Sequence, residues 1–378
     1  MKFYNRKKEL AELRRIQNLS FTDHSRLTVL TGRRRIGKTS LIMKAVEDTP
    51  TVYLFVGRKN EASLCTEFIT TISQSLDTFV PTEIQTFRSL FQYLMEIATS
   101  KTFNLVIDEF QEFYNINESV YSDMQNIWDQ YRNKTKMNLI VSGSIYSLMQ
   151  KIFQNSKEPL FGRADNIIKL SAFDLTTLKE IMTDHRPGYT NDELLALYSF
   201  TGGVPKYVEL FCDNGMLSVN EMIGFMIRDN SSFTDEGKNL LIEEFGKNYA
   251  TYFSILSAIS GGINTQAEIE SAMGNKSIGG QLKRLIEDYN IIVRQRPILA
   301  KEGTQAVRYE IQDNFLHFWF NYFDRHRSLI EIKNFKGLQK IVTDDYTTYT
   351  GRMLERYFKQ QFAESFLYKE IGSWWELK

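Results

Sequence analysis

The chain has 378 residues, of which 42% are hydrophobic, a composition that excludes intrinsic disorder and a length that suits two or three domains of roughly 100–200 residues. Its 46 Lys and Arg balance 46 Asp and Glu. That balance excludes a molecule-wide positive field, so any nucleic-acid surface has to be a local patch.

Residues 1–19 read as a short helix with Leu10, Leu13 and Ile16 on one face. From 27 to about 170, apolar runs at 27–31, 51–56, 103–107, 139–142 and 167–170 alternate with segments of helical period at 39–48, 61–77, 86–100, 118–135 and 144–154. The runs are rich in Val, Ile and Phe, as buried strands are, and the alternation predicts a parallel sheet with helices on both faces. From 174 to about 230 only helical patterns remain, broken by "TGGVP" at 201–205. The Gly pair stops one helix and Pro205 suits the first turn of the next, which gives a small helical lid.

Helices are predicted at 249–260, 265–273 and 277–288, the second supported by the capping-box spacing of Thr265 and Glu268. Strand-like "IIVRQR" and "VRYEIQ" follow, with a polar turn between them. Three helices and a two-stranded wing make a winged helix-turn-helix. The run "NFLHFWFNYF" within 313–330 reads as a helix whose Phe315, Phe318, Trp319 and Tyr322 pack between domains. The tail is helical from 345 to about 366 and ends in "IGSWWELK".

Two cysteines, Cys65 and Cys212, make no disulfide framework, and the four histidines lack zinc-ligand spacing. The charged N-terminus has no apolar stretch of a signal peptide, and no run approaches the roughly 20 apolar residues of a membrane span. A soluble cytoplasmic protein with no membrane contact is expected.

The chemistry concentrates in three strand ends. Gly32-Arg33-Arg34-Arg35-Ile36-Gly37-Lys38-Thr39 fits the phosphate-loop pattern G-x-x-x-x-G-K-[ST], with Ser40 following, and it lies between a strand and a helix. The glycines let successive N–H groups turn toward phosphate, and the helix N-terminus adds its positive end. Lys38 can bridge the β- and γ-phosphates, and Thr39 can bind Mg²⁺. In "FNLVIDEF" an apolar strand ends in Asp108-Glu109, where Asp108 can order the metal and Glu109 can polarise water. In "NLIVSGS", Ser142 and Ser144 are placed to sense the γ-phosphate, although Ser-Gly-Ser is equally an ordinary turn. "NKTK" at 133–136 lacks the Asp of a guanine-reading loop, so ATP or ADP is favoured.

With these motifs in place, the chain resembles the archaeal-type P-loop ATPases of the STAND/AAA+ group over nearly its whole length. The resemblance is carried by "FYNRKKELAEL", "GRRRIGKTSLI", "VIDEFQ", "IVSGS", "PLFGRADNIIKLSAF", "TGGVPKYVEL", "LIEDYNIIVRQRPI" and "RYEIQDNFLHFWFNYF". It implies an ASCE/RecA-like parallel-sheet core at 1–172, a lid at 173–235, a winged helix at 236–325 and a C-terminal helical element at 326–378. It further implies that the N-terminal segment lies near the adenine, that Arg163 meets nucleotide phosphate or a neighbouring segment, and that Pro205 lies where the lid touches nucleotide. "YTGRMLERYFKQQF" resembles the opening helix of a restriction-endonuclease-like domain, with Glu355 at its early acidic position. The later Asp and E-x-K are missing, so a nuclease is not expected.

The expected protein is therefore an ATP-hydrolysing switch coupled to a winged helix, with Glu109, Lys38 and Arg163 as catalytic candidates. Gly32, Arg35, Gly37, Lys38, Thr39, Ser40, Ser142 and Pro205 are the nucleotide-binding candidates, and Thr39 and Asp108 the metal ligands. The alternative is a DNA-binding regulator that holds nucleotide without turning it over. Lys276, Lys283, Arg284, Arg294, Arg296, Lys301 and Arg308 could contact duplex phosphates, while a protein partner or an oligomer contact remains open.

Overall fold

The computed structural model describes residues 1–246, 249–300 and 306–375. Lys301 and the last three residues of "IGSWWELK" lie outside them. The chain divides into two compact units, Arg6–Ser171 and Met1–Asn5 with the residues from Ala172 onward.

The first unit is built on five parallel strands. Helix α1 (Lys7–Thr22) leads to β1 (Arg26–Thr31), α2 (Lys38–Ala45), β2 (Thr51–Phe55), α3 (Glu61–Leu76) and α4 (Phe87–Ile97). Then come β3 (Phe103–Asp108), a 3₁₀ turn (Phe110–Glu112), α5 (Phe113–Ile116), α6 (Ser119–Tyr131), β4 (Met137–Gly143), α7 (Tyr146–Gln154) and β5 (Asn166–Lys169). The sheet order is β2-β3-β4-β1-β5, every pair parallel. β4 therefore separates the strand that enters the glycine loop from the strand that ends in Asp108, as in the ASCE order. β3 and β4 are buried at every position, which is why they read as unbroken apolar runs, whereas edge strand β5 alternates in exposure. The short 3₁₀ turn and α5 lie in a stretch to which the sequence reading gave no element.

Among its described residues the second unit is helical apart from one hairpin. It contains α8 (Leu175–His185), α9 (Asn191–Thr201), α10 (Pro205–Asp213), α11 (Val219–Met226) and α12 (Glu236–Phe245). α13 (Tyr249–Ser260), α14 (Gln266–Ala272) and α15 (Gly279–Glu287) precede an antiparallel pair, β6 (Ile292–Gln295) and β7 (Arg308–Ile311), the element order of a winged helix-turn-helix. Thr265 and Glu268 close both arms of the capping box. The "TGGVP" break ends α9 at a left-handed Gly202, and Pro205 opens α10.

The aromatic run departs from the expected single helix. α16 (Asn314–Phe318) passes into a π-helix (Trp319–Asp324) and then α17 (Arg327–Glu331). The wider turn shifts the register, so Trp319, Phe320, Tyr322 and Phe323 are all buried, more than one stripe at regular helical spacing would cover. Phe315 meets Tyr207 with ring centroids at 4.4 Å, and Phe318 meets Phe200 at 4.8 Å. The run thus packs against helices α9 and α10 within one unit. The last helix, α18 (Phe335–Ser365), starts ten residues before the expected 345 and carries Glu355, which bonds Lys359 and Ser373. Among the described residues no helix is long and apolar enough to cross a membrane, and no group of His, Cys, Asp and Glu could hold a metal by itself.

Buried His317 couples this core to pH. Burial, with Arg356 and Arg352 nearby, pushes its imidazole down to about 3. The neutral ring accepts from the Asn321 amide at Nδ1, 3.2 Å away. Between about pH 6.5 and 3 the unfolded chain binds a proton that the folded chain refuses, so stability falls as pH falls through this window. The slope is about 1.4 kcal/mol per pH unit. Urea midpoints taken from pH 7 to 4.5 should therefore drop more steeply for the wild type than for His317→Gln. Parallel curves would remove His317 as the source.

Candidate functional site

The site grows out of the exits of β1, β3 and β4. After Thr31 the backbone turns at Gly32, where an added Cβ would lie 2.8 Å from the Leu170 carbonyl oxygen. Only glycine lets the loop pass that close to the end of β5. Arg35 and Gly37 adopt left-handed conformations, with φ of 68° and 86°. The loop then enters α2, whose first residues are Lys38, Thr39 and Ser40. The unpaired N–H groups at this helix start, with its dipole, make the local field positive.

Lys38 is 7% exposed, and its ammonium donates to Gly32 O at 2.8 Å and Arg33 O at 3.2 Å. Burial pushes it below the ordinary lysine range, Glu109 and Asp108 act the other way, and Arg34 adds to the lowering. A buried cation curled under its own loop is a point charge already aimed at the cradle.

Three donors converge on Asp108, itself buried at the end of β3. The Thr39 hydroxyl donates to Oδ2 at 2.9 Å, the Tyr53 hydroxyl donates to Oδ2 at 2.6 Å, and the Glu109 amide donates to Oδ1 at 3.0 Å. A hydroxyl and a carboxylate in contact at the rim of a phosphate cradle are the hard oxygen donors that Mg²⁺ takes along with water and substrate oxygens. The residues present therefore fit that ion. Burial and the Asp108 carboxylate together raise the Tyr53 phenol above its ordinary range, so it stays a neutral donor.

Glu109 sits at φ 53°, left-handed for a residue with a Cβ. Its Oε2 accepts from Gln111 Nε2 at 2.6 Å and from Ser144 Oγ at 2.7 Å. The structure thus brings together Gly32, Arg35, Gly37, Lys38, Thr39, Ser40, Asp108 and Glu109.

Ser142 and Arg163 stand outside this cluster, and Arg163 meets a neighbouring segment, α6, rather than the loop. Ser142 lies inside β4, fully buried, with no hydrogen-bond partner for its Oγ among the described residues. Ser144, just past the strand, is the serine that reaches Glu109. Arg163 donates to Asp129 at 3.0 Å and to the Phe161 carbonyl at 3.0 Å. It precedes Asp165, whose amide bonds Leu27 O at the start of β1. Four residues of strand, about 13 Å, separate that end from the loop. Arg163 is therefore in a partly exposed ion pair at the other end of the sheet. Pro205 belongs to the second unit, at the start of α10.

Sequence reasoning missed Tyr53 and Gln111. Tyr53 was legible only as a polar-tipped residue in an apolar strand, and Gln111 as the last letter of "VIDEFQ". Arg6, in the N-terminal motif, donates to Ser171 O at 2.6 Å and to Ile36 O of the loop at 3.5 Å.

Several known proteins are similar. The uncharacterized protein MJECL04 of Methanocaldococcus jannaschii is 29% identical over 375 residues, covering 96% of this chain and 80% of its own. The Walker-type ATPase PABY2304 of Pyrococcus abyssi superposes with a TM-score of 0.60 at 18% identity, over 84% of this chain and 96% of that one. The Aeropyrum pernix ORC2 protein, solved as ADPNP–ADP complexes, gives a TM-score of 0.54 at 12% identity, over 91% and 96%. At such identities these two structures show the fold, a P-loop ATPase sheet. The profile of a family described as an ATPase domain predominantly from Archaea matches residues 3–211, more than half of the chain. With that match on the same loop and strand ends, the chain belongs to this archaeal-type ATPase family.

Proposed function

We propose that the chain is a Mg²⁺-dependent, ATP-hydrolysing switch. The observation that carries the reading is the Thr39–Asp108 hydrogen bond, because it joins the phosphate loop to the acidic strand end. Gly32, Arg35, Gly37, Lys38, Thr39 and Ser40 cradle the phosphates, and Lys38 balances charge on the β- and γ-oxygens. Thr39 and Asp108 would hold Mg²⁺, which when bound neutralises charge on those oxygens. Glu109 takes the proton of the attacking water. Arg163, held on Asp129, has no part in this scheme.

The switch half of the reading rests on Arg6. The chain passes between its two units twice, between residues 5 and 6 and between 171 and 172. Arg6 is the first residue of its unit and donates both to Ser171, the last, and to the loop carbonyl of Ile36. A shift of the loop is thereby felt at both crossings. Pro205 and the turn at 202–205 keep their proposed role as the lid. For the winged-helix segment a packing or protein-contact role is favoured over duplex DNA. Lys283 pairs with Glu287 at 3.7 Å, and Arg308 lies over the Trp375 ring at 4.7 Å.

Release of labelled phosphate from ATP, with Mg²⁺ and with EDTA, tests the reading. Turnover that survives EDTA, or that DNA alone switches on, overturns the scheme as stated. Lys38→Ala should weaken ATP binding roughly 10–100-fold in an equilibrium titration, the worth of a charged hydrogen bond. Full affinity in that variant would move the site elsewhere.

A further inference from the structure

We infer that Gln111 and Ser144 are positioning residues that fix the rotamer of Glu109 for water activation, an inference that rests on the hydrolytic reading above. Both donate to the same carboxylate oxygen, Oε2, at 2.6 and 2.7 Å. Oε1 is left without a protein partner among the described residues, so the carboxylate has one anchored oxygen and one to receive a proton. Glutamate has three rotatable side-chain bonds, and two fixed donors on one oxygen remove most of that freedom.

The local backbone is arranged around this clasp. Glu109 takes a left-handed conformation, which costs roughly 1–2 kcal/mol for a residue with a Cβ. The 3₁₀ turn from Phe110 to Glu112 then folds Gln111 back toward the residue two places before it. Gly143 makes the room. A Cβ there would lie 2.4 Å from Gln111 Oε1 and 2.3 Å from Met149 Sδ. The residue after Gly143 is Ser144, so the exit of β4 supplies both the space for one donor and the other donor.

Gln111 gains nothing else from its position. It is 1% exposed, and its Oε1 has no hydrogen-bond partner among the described residues. A buried carbonyl left unpaired costs about 1–3 kcal/mol. Turning the amide over would set that oxygen against the Glu109 carboxylate, so the orientation is fixed by the single bond to Glu109. Stability alone would be served as well by an apolar side chain of this size. The polar one is explained by what it holds.

Steady-state ATP turnover of the full chain, with urea unfolding of each variant, tests the clasp. Gln111→Met should lower kcat about 10–100-fold, the effect of misplacing a reacting group by about 1 Å. Its KM should stay within about twofold, and its unfolding midpoint at or above the wild type. Ser144→Ala should lower kcat about tenfold, and Ser144→Thr, which keeps the hydroxyl, should recover most of it. The clasp is overturned by a kcat within about twofold of wild type in Gln111→Met, by a rise in kcat, or by a loss matched by a lower midpoint. Glu109→Gln measured alongside separates the two levels. Full turnover in that variant overturns the base assignment itself, whereas its loss beside a normal Gln111→Met removes only the clasp.

Discussion

Glu109→Gln is expected to lower ATP turnover by about 10²–10⁴-fold while ATP binding stays near the wild-type value. The substitution keeps the shape of the side chain and removes its ability to take a proton. Its neighbours tolerate the change, because Gln111 Nε2 and Ser144 Oγ can donate to an amide oxygen as they do to Oε2. Nothing that holds phosphate is touched. Lys38 stays on the loop carbonyls, and Thr39 keeps its bond to Asp108. A pure kcat effect is the mark of an interaction made in the transition state alone. If KM rose in step with the fall in kcat/KM, Glu109 would be a binding residue, and if both constants were unchanged it would be neither. Asp108→Asn is the contrast, since it disturbs Thr39, Tyr53 and the Glu109 amide at once, so binding and turnover fall together.

What the sequence shows of this site depends on how local each contact is. The glycine loop was legible because Gly32, Gly37, Lys38 and Thr39 act within eight residues, and the spacing is the geometry. Asp108-Glu109 was legible because β3 is buried on both faces, so its apolar run stops visibly at the first charge. Tyr53 was not, since its hydroxyl reaches Asp108 from a neighbouring strand and its own strand reads as plain core. Gln111 depends on a left-handed Glu109 and on the missing Cβ of Gly143, two facts 34 residues apart that spacing does not join. The Ser142 and Ser144 pair shows the same limit. One residue of strand carries Ser142 into the sheet, and leaving the strand frees Ser144 for the site. In the second unit the caps were read correctly because they are local. The π-helix was not, because its extra residue per turn is stabilised by contacts distant in sequence, Trp319 and Phe320 against Phe253 of α13 and Tyr322 against Tyr349 of α18.

Gly203→Ala is expected to destabilise the second unit by roughly 2–5 kcal/mol, and its neighbour Gly202→Ala by only roughly 1–2 kcal/mol. Both glycines are left-handed, with φ of 58° at Gly202 and 73° at Gly203, so both variants bear the same backbone strain. They differ in what the new methyl meets. At Gly202 it would lie 3.4 Å from the Asn314 Cβ and 3.5 Å from the Asn314 amide nitrogen, ordinary contact that asks nothing to move. At Gly203 it would lie 2.6 Å from the Phe173 carbonyl oxygen. That carbonyl cannot move away freely, because the Phe173 amide is itself bonded to Gly203 O at 2.9 Å. Relief therefore means overpacking or loss of a backbone hydrogen bond. Both alanines restrict the unfolded chain equally, so that offset cancels in the difference between them. Amide hydrogen exchange in α9 and α10 reads the second unit separately from the first. Equal losses of protection in the two variants would mean that the Phe173 backbone gives way. The tight turn of "TGGVP" would then be set by its left-handed conformations alone, without the close backbone approach.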